Sequence, residues 1–113
     1  MALQLRELVE SGPESWLKSA RRTLEIEIAG LSGLAAAFDG QLGIGFCEAI
    51  DLIRSTDGRV ILTGLGKSGH IARKIASTLA STGTPSMYIH PVEASHGDRG
   101  MITARDVIIM ISN

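Results

Sequence analysis

The sequence predicts an α/β fold: two helices, then a β-α-β-loop-β run that forms a parallel sheet. Three observations predict it. Apolar residues recur every three or four positions through the first half of the chain. After "TDG" the pattern switches to short apolar β-branched runs, "RVILTG", "SMYIH" and "DVIIMIS". Between the first two of these lies one more stretch of helical periodicity, bounded by glycines. Strands alternating with helices imply parallel pairing through right-handed crossovers.

The first helix is "SGPESWLKSARRTLEIEIAGLSGLAAAF". Ser11 or Gly12 caps it, Pro13 suits its first turn, and Glu14 favours the positive end of the helix dipole. Trp16 or Leu17, Ala20, Leu24, Ile28, Leu31, Leu34 or Ala35, and Phe38 form its apolar stripe. Gly30 and Gly33 weaken it and are candidates for a kink, and Gly40 ends it. The second helix, near Phe46 to Arg54, presents Phe46, Ile50 and Ile53. It also holds the single cysteine, Cys47, read as a small packed or half-exposed thiol and not a nucleophile. "RVILTG" has the composition of a strand buried on both faces. In the helix "SGHIARKIASTLASTG", Ile71, Ile75 and Leu79 share a face, Arg73 and Lys74 lie off it, and Gly83 closes it. "SMYIH" is the second strand. "PVEASHGDRGMI" is a loop with room for one helical turn, and "DVIIMIS" is the third strand.

The chain has 113 residues, 44% hydrophobic and 20% charged, a globular composition suited to one small domain. A net charge of −1 gives no electrostatic reason to expect nucleic acid or an anionic membrane as partner. One cysteine rules out an intrachain disulfide framework and fits a reducing compartment. No apolar run reaches the roughly 18 residues of a membrane-spanning helix. The N-terminus, with Arg6, Glu7 and Glu10, does not read as a signal peptide, so the expected location is cytoplasmic.

The chemistry gathers in "LTGLGKSGH", at the exit of the first strand. Ligands of open parallel sheets bind beyond the carboxyl ends of the strands. Those ends are Thr63-Gly64, Ile89-His90 and Ile111-Ser112-Asn113. Lys67 and Ser68 stand where a helix begins, and backbone N–H groups and the dipole there favour an anion. An ATP-type P-loop would need a glycine at position 61, which is Ile61. Gly64, Gly66 and Gly69 do fit the dinucleotide pattern G-x-G-x-x-G, but no carboxylate stands at the end of the second strand to hold a ribose. That reading remains the alternative. Hydroxyls plus one lysine suit a sugar phosphate better than adenine, which wants an apolar slot. The segment "STGTP" adds further hydroxyls, though at the opposite end of the sheet unless a bent loop or a second copy brings it round.

Four motifs occur in order: G-x-G-K-S-G-H, A-S-T-G-T-P, H-P-x-E-A-x-H-G-D-x-G-M, and a buried strand leading to S-N. From about Arg59 to Asn113 they resemble the opening of the sugar isomerase (SIS) domain of arabinose-5-phosphate isomerases. The resemblance implies the start of a doubly wound, flavodoxin-like parallel sheet. Residues 1–57 would be a helical segment packed on the SIS domain, and residues 58–113 its first part. The implied reaction interconverts ribulose 5-phosphate and arabinose 5-phosphate for synthesis of the lipopolysaccharide sugar Kdo. By matching positions, Lys67 is the expected catalytic residue. Gly66, Ser68, Gly83, Thr84, His96 and Ser112 are expected at the substrate. His90 is the position associated with zinc, with no cofactor required for the reaction. His90, Glu93 and His96 would also make a candidate metal group by residue type alone. Asp98 and Arg99 read as loop residues. The family forms homo-oligomers, tetramers at full length.

Family members continue well past the S-N pair, into S-G-E, more strands and often paired CBS modules. Their remaining catalytic positions, two glutamates and a histidine, would fall after Asn113. The expectation is therefore an N-terminal fragment of an isomerase, inactive in isolation. A non-catalytic sugar-phosphate-binding SIS module is the reading from a different functional class.

Overall fold

The computed structural model describes residues 12–96 and 98–113, the side chains of residues 96, 98 and 99 excepted. The proposed capping role of Ser11 lies outside the described residues. The chain divides into two compact units, one ending at Phe46 and the other running from Cys47 to Asn113.

In the first unit, helix α1 (Gly12–Ala37) runs unbroken through Gly30 and Gly33, with Glu14 in its first turn. None of its side chains is buried. A turn over residues 38–40 follows, in which the Gly40 N–H donates to the Ala37 carbonyl at 3.1 Å. Helix α2 (Gln41–Ser55) begins at once, five residues earlier than the sequence suggests. The rings of Phe38 and Phe46 meet edge to face, 5.1 Å between centroids. Cys47 is a free, exposed thiol.

The second unit holds β1 (Val60–Thr63), α3 (Gly66–Ser81), β2 (Ser86–Tyr88), α4 (Pro91–His96), a 3₁₀ turn (Asp98–Met101) and β3 (Val107–Met110). The strands form one parallel sheet in the order β2-β1-β3. Ile61 stands opposite Met87 on one side and Ile108 on the other. Strand β1 is central, and Val60, Ile61 and Leu62 are essentially inaccessible to solvent. Val60 and Leu62 meet Ala72 and Ala76 of α3, with Ile53, Leu79, Tyr88, Ile109 and Ile111 packed around them.

The buried face of α3 differs from the expected one. Gly69, Ala72 and Ala76 face the sheet, while Ile71 and Ile75 are exposed. The reason is proximity. A Cβ on Gly69 would lie 2.5 Å from the Gly64 carbonyl oxygen, so the helix can sit this close only through small residues. The expected loop after β2 also holds more structure than one turn, with α4 followed by the 3₁₀ turn.

At the amino ends of β1 and β3, Arg59 and Asp106 clamp the two strands. One Asp106 carboxylate oxygen accepts from the Arg59 N–H at 2.8 Å and from its Nε at 3.2 Å. The other accepts from the guanidinium at 3.0 Å and from the Thr103 N–H at 2.7 Å. The Asp106 side chain is 1% exposed and the Arg59 side chain 37%. Thr56 Oγ1 donates to the Arg105 carbonyl nearby. On the outer side, β3 is an edge, and Ile108 and Met110 are exposed, Met110 at 77%.

Candidate functional site

Strand β1 ends at Thr63, and the chain then turns tightly into α3. Gly64 is buried against the rest of the turn: a Cβ there would lie 2.8 Å from the Ile111 carbonyl oxygen and 3.0 Å from the Ser68 carbonyl carbon. Gly66 takes φ +54°, a conformation that side-chain-bearing residues rarely adopt. Leu65 occupies the cap position in extended conformation, and no side chain caps the helix. The Gly69 N–H donates to the Leu65 carbonyl at 3.2 Å. The first amides of α3, from Gly66 to Ser68, therefore point out of a sixteen-residue helix without a capping acceptor. That is a positive, donor-rich end suited to an anion. Lys67 is exposed on this first turn, and Ser68 is half-buried.

Beside the turn is a hollow of about 400 Å³, lined by Thr63, Gly64, Leu65, Ser68 and Pro91, and by Met110 to Asn113 at the exit of β3. It lies beyond the carboxyl ends of β1 and β3, where open parallel sheets bind ligands. None of the described residues lining it is titratable. Thr63 Oγ1 is buried there without a hydrogen-bond partner among the described residues. Larger grooves on α1 and α2 are each lined, among the described residues, by charged and apolar side chains of a single helix.

The structure thus brings together Gly66, Lys67, Ser68 and Ser112 at one end of the sheet. Gly83 and Thr84 are not with them. Gly83 takes φ +99° in the turn after α3, and the Thr84 N–H donates to the Leu79 carbonyl at 2.9 Å. The next residue, Pro85, accepts from the Val60 N–H at the start of β1. Sixteen helical residues, about 24 Å, separate this turn from Gly66 within one chain.

His90 follows β2 and is half-buried. The Val92 N–H donates to its Nδ1 at 3.2 Å, leaving Nε2 for another partner. No group of three or more metal-ligating side chains occurs among the described residues. The side chains of His96, Asp98 and Arg99 lie outside them. One contact at this end has no local signature in the sequence. The Tyr88 hydroxyl donates to the Gly64 carbonyl at 2.7 Å.

A parallel sheet with a glycine turn, an uncapped helix start and a lysine at its carboxyl edge defines a parallel α/β domain. Comparison with known proteins gives the family. The SIS domain model matches residues 52–113, more than half of the chain, and the chain belongs to that family. It is 49% identical over 98 residues to the arabinose 5-phosphate isomerase KdsD of Pseudomonas aeruginosa, covering 87% of this chain and 29% of that protein. It is 48% identical over 99 residues to the arabinose 5-phosphate isomerase GutQ of Escherichia coli K12, covering 88% of this chain and 30% of that one. Among solved structures it resembles an Escherichia coli CFT073 protein in complex with arabinose 5-phosphate. That match has a TM-score of 0.75 and 40% identity, and covers 90% of this chain and 52% of that one. The chain thus spans less than a third of the length of these curated relatives.

Proposed function

We propose that this chain supplies the sugar-phosphate-binding opening of an arabinose-5-phosphate isomerase, with Lys67 at the reacting end of the ligand. The observation that carries the reading is the uncapped first turn of α3, holding Lys67 beside the hollow at the strand ends. Likeness to relatives named for this isomerisation, and to a structure solved with the sugar phosphate bound, supports the choice of substrate.

The reaction moves hydrogen between two carbons. A base takes the proton from C2 of the open-chain aldose while the C1 carbonyl oxygen gains a proton. The resulting enediol loses its O2 proton and takes a proton at C1, which yields the ketose. Negative charge builds on the oxygens on the way. The Lys67 ammonium and the α3 amides would stabilise it. The phosphate anchors the sugar so that the reacting carbons stay in place. Ser68 and Ser112 supply hydroxyls for that anchor or for the sugar.

The same reading puts the protein in the cytoplasm and in a homo-oligomer. A second copy is the route by which a Gly83–Thr84 turn would reach the Lys67 end of a neighbour. A zinc ion held by His90 would require the ring to give up its hydrogen bond from Val92 N–H, because a neutral ring accepting at Nδ1 carries its proton on Nε2. The described residues do not complete a closed site around it, and no step of the isomerisation runs through it.

The test is titration of arabinose 5-phosphate into the ¹⁵N-labelled chain. Amide shifts are expected at Gly66, Lys67 and Ser68, and Lys67→Ala should weaken binding by about tenfold or more, the loss expected for one charge-assisted contact. Saturable binding with no shift in that turn, or wild-type affinity in Lys67→Ala, would overturn the assignment. Binding of NAD in place of the sugar phosphate would favour the dinucleotide alternative.

A further inference from the structure

We propose that Tyr88 is a positioning residue: its hydroxyl fixes the Gly64 carbonyl and thereby keeps the first amides of α3 free for the ligand, with Arg73 holding its ring in place. The ligand half of this inference rests on the sugar-phosphate reading of the same site. The turn itself is a matter of geometry. Gly64 O is where an additional residue of helix would form, by accepting from the Ser68 N–H four residues on. Among the described residues no such bond forms. Gly64 O takes its hydrogen bond from Tyr88 Oη at 2.7 Å, across 24 residues of sequence. The Ser68 amide is left unspent, at the helix end where an anion would use it.

The surroundings fit this role. The Tyr88 hydroxyl, the Gly64 carbonyl and Gly69 converge so closely that a Cβ on Gly69 would lie 3.0 Å from the hydroxyl and 2.5 Å from the carbonyl oxygen. The Arg73 guanidinium carbon lies 4.0 Å from the Tyr88 ring centroid, a cation–π distance. Arg73 comes from α3 itself, so the helix whose start is being shaped also grips the ring that shapes it. Without the hydroxyl, a buried carbonyl loses its donor, and the cheapest repair is for the turn to wind back onto Ser68 N–H.

The experiment uses the ¹⁵N-labelled chain, with Tyr88→Phe as the main variant and Arg73→Gln as the second. Without ligand, amide exchange and shifts at Gly66 to Ser68 are compared with those of Val107 to Met110 in β3. In Tyr88→Phe the Ser68 amide should shift and the turn should exchange about three- to tenfold differently, the size expected for one hydrogen bond, while β3 stays as in the wild type. Arg73→Gln should do the same to a smaller degree. With arabinose 5-phosphate, Tyr88→Phe should bind about three- to tenfold more weakly. A role in stability alone would lower the melting temperature and leave both the turn amides and the affinity unchanged, which would overturn the proposal. If Tyr88→Phe fails to fold, an unaltered turn and affinity in Arg73→Gln overturns it instead. If the wild type binds no sugar phosphate but Tyr88→Phe still rearranges the turn, the functional reading falls and the positioning role stands.

Discussion

His90 shows how one side chain can be committed on one edge and open on the other. Its Nδ1 accepts from Val92 N–H in the first turn of α4, which fixes the ring and, when it is neutral, places the proton on Nε2. A metal-ligating histidine instead donates its second ring N–H to a partner, so zinc would take His90 only with the Val92 hydrogen bond given up. If zinc binds, His90→Ala should reduce zinc affinity measured by calorimetry, and Cys47→Ala should not. Equal affinity in the wild type and His90→Ala would remove the metal role. The residue scale is also where the sequence says least. Lys67 and Ser68 are legible because a glycine turn between strand and helix exposes a helix start, and that pattern is local. Tyr88 is not legible, because its partner Gly64 lies 24 residues away and only the β1–β2 register brings them together.

Among the elements, the clamp between β1 and β3 has a definite pH dependence. The Arg59 guanidinium, donating to Asp106, holds that carboxyl well below the usual carboxylate range, and the Thr103 and Arg59 backbone N–H groups add to the effect. Burial works in the opposite direction and is outweighed. Because the folded value is depressed, the clamp's stabilisation is fully present above the ordinary carboxylate value of about 4 and is lost as pH falls through the folded value. Asp106→Asn should therefore melt below the wild type at neutral pH, and the gap should narrow as the solution is taken well below pH 4. A gap that is constant with pH would show that packing, not charge, carries the clamp. Elements were legible where one period dominated. The helix at Gly66–Ser81 is plain in the sequence, yet its inward face is not, because Ile71 and Ile75 outweigh Ala72 and Ala76 in any hydrophobic pattern. What reverses the choice is the nearness of the Gly64 turn, which leaves room only for small side chains.

At the scale of the whole molecule, the parallel order β2-β1-β3 agrees with the flavodoxin-like start that the resemblance implies. That order puts β1 in the middle and β3 at an edge, with Ile108 and Met110 facing solvent and one row of backbone groups unpaired. An exposed apolar edge, even of four residues, offers unpaired backbone groups to a further strand. The ligand end has a matching shortfall. Isomerisation needs a proton-transferring group near C1 and C2, yet no titratable side chain among the described residues lines the hollow beside Lys67. The Lys67 ammonium can stabilise developing charge, but in its protonated form it cannot accept the carbon proton. These 113 residues by themselves should therefore bind arabinose 5-phosphate without converting it, and should associate in solution through β3. Light scattering coupled to size exclusion, with a coupled assay for ribulose 5-phosphate, tests both halves. Replacing Ile108 with lysine should shift the chain towards monomer and leave ligand binding at the Gly66–Ser68 turn intact, since Ile108 is exposed on β3 and does not line the hollow. A monomeric wild-type chain that turns over the sugar phosphate would show that a base has been overlooked, with His90, Glu93 and the side chain of His96 the first residues to substitute.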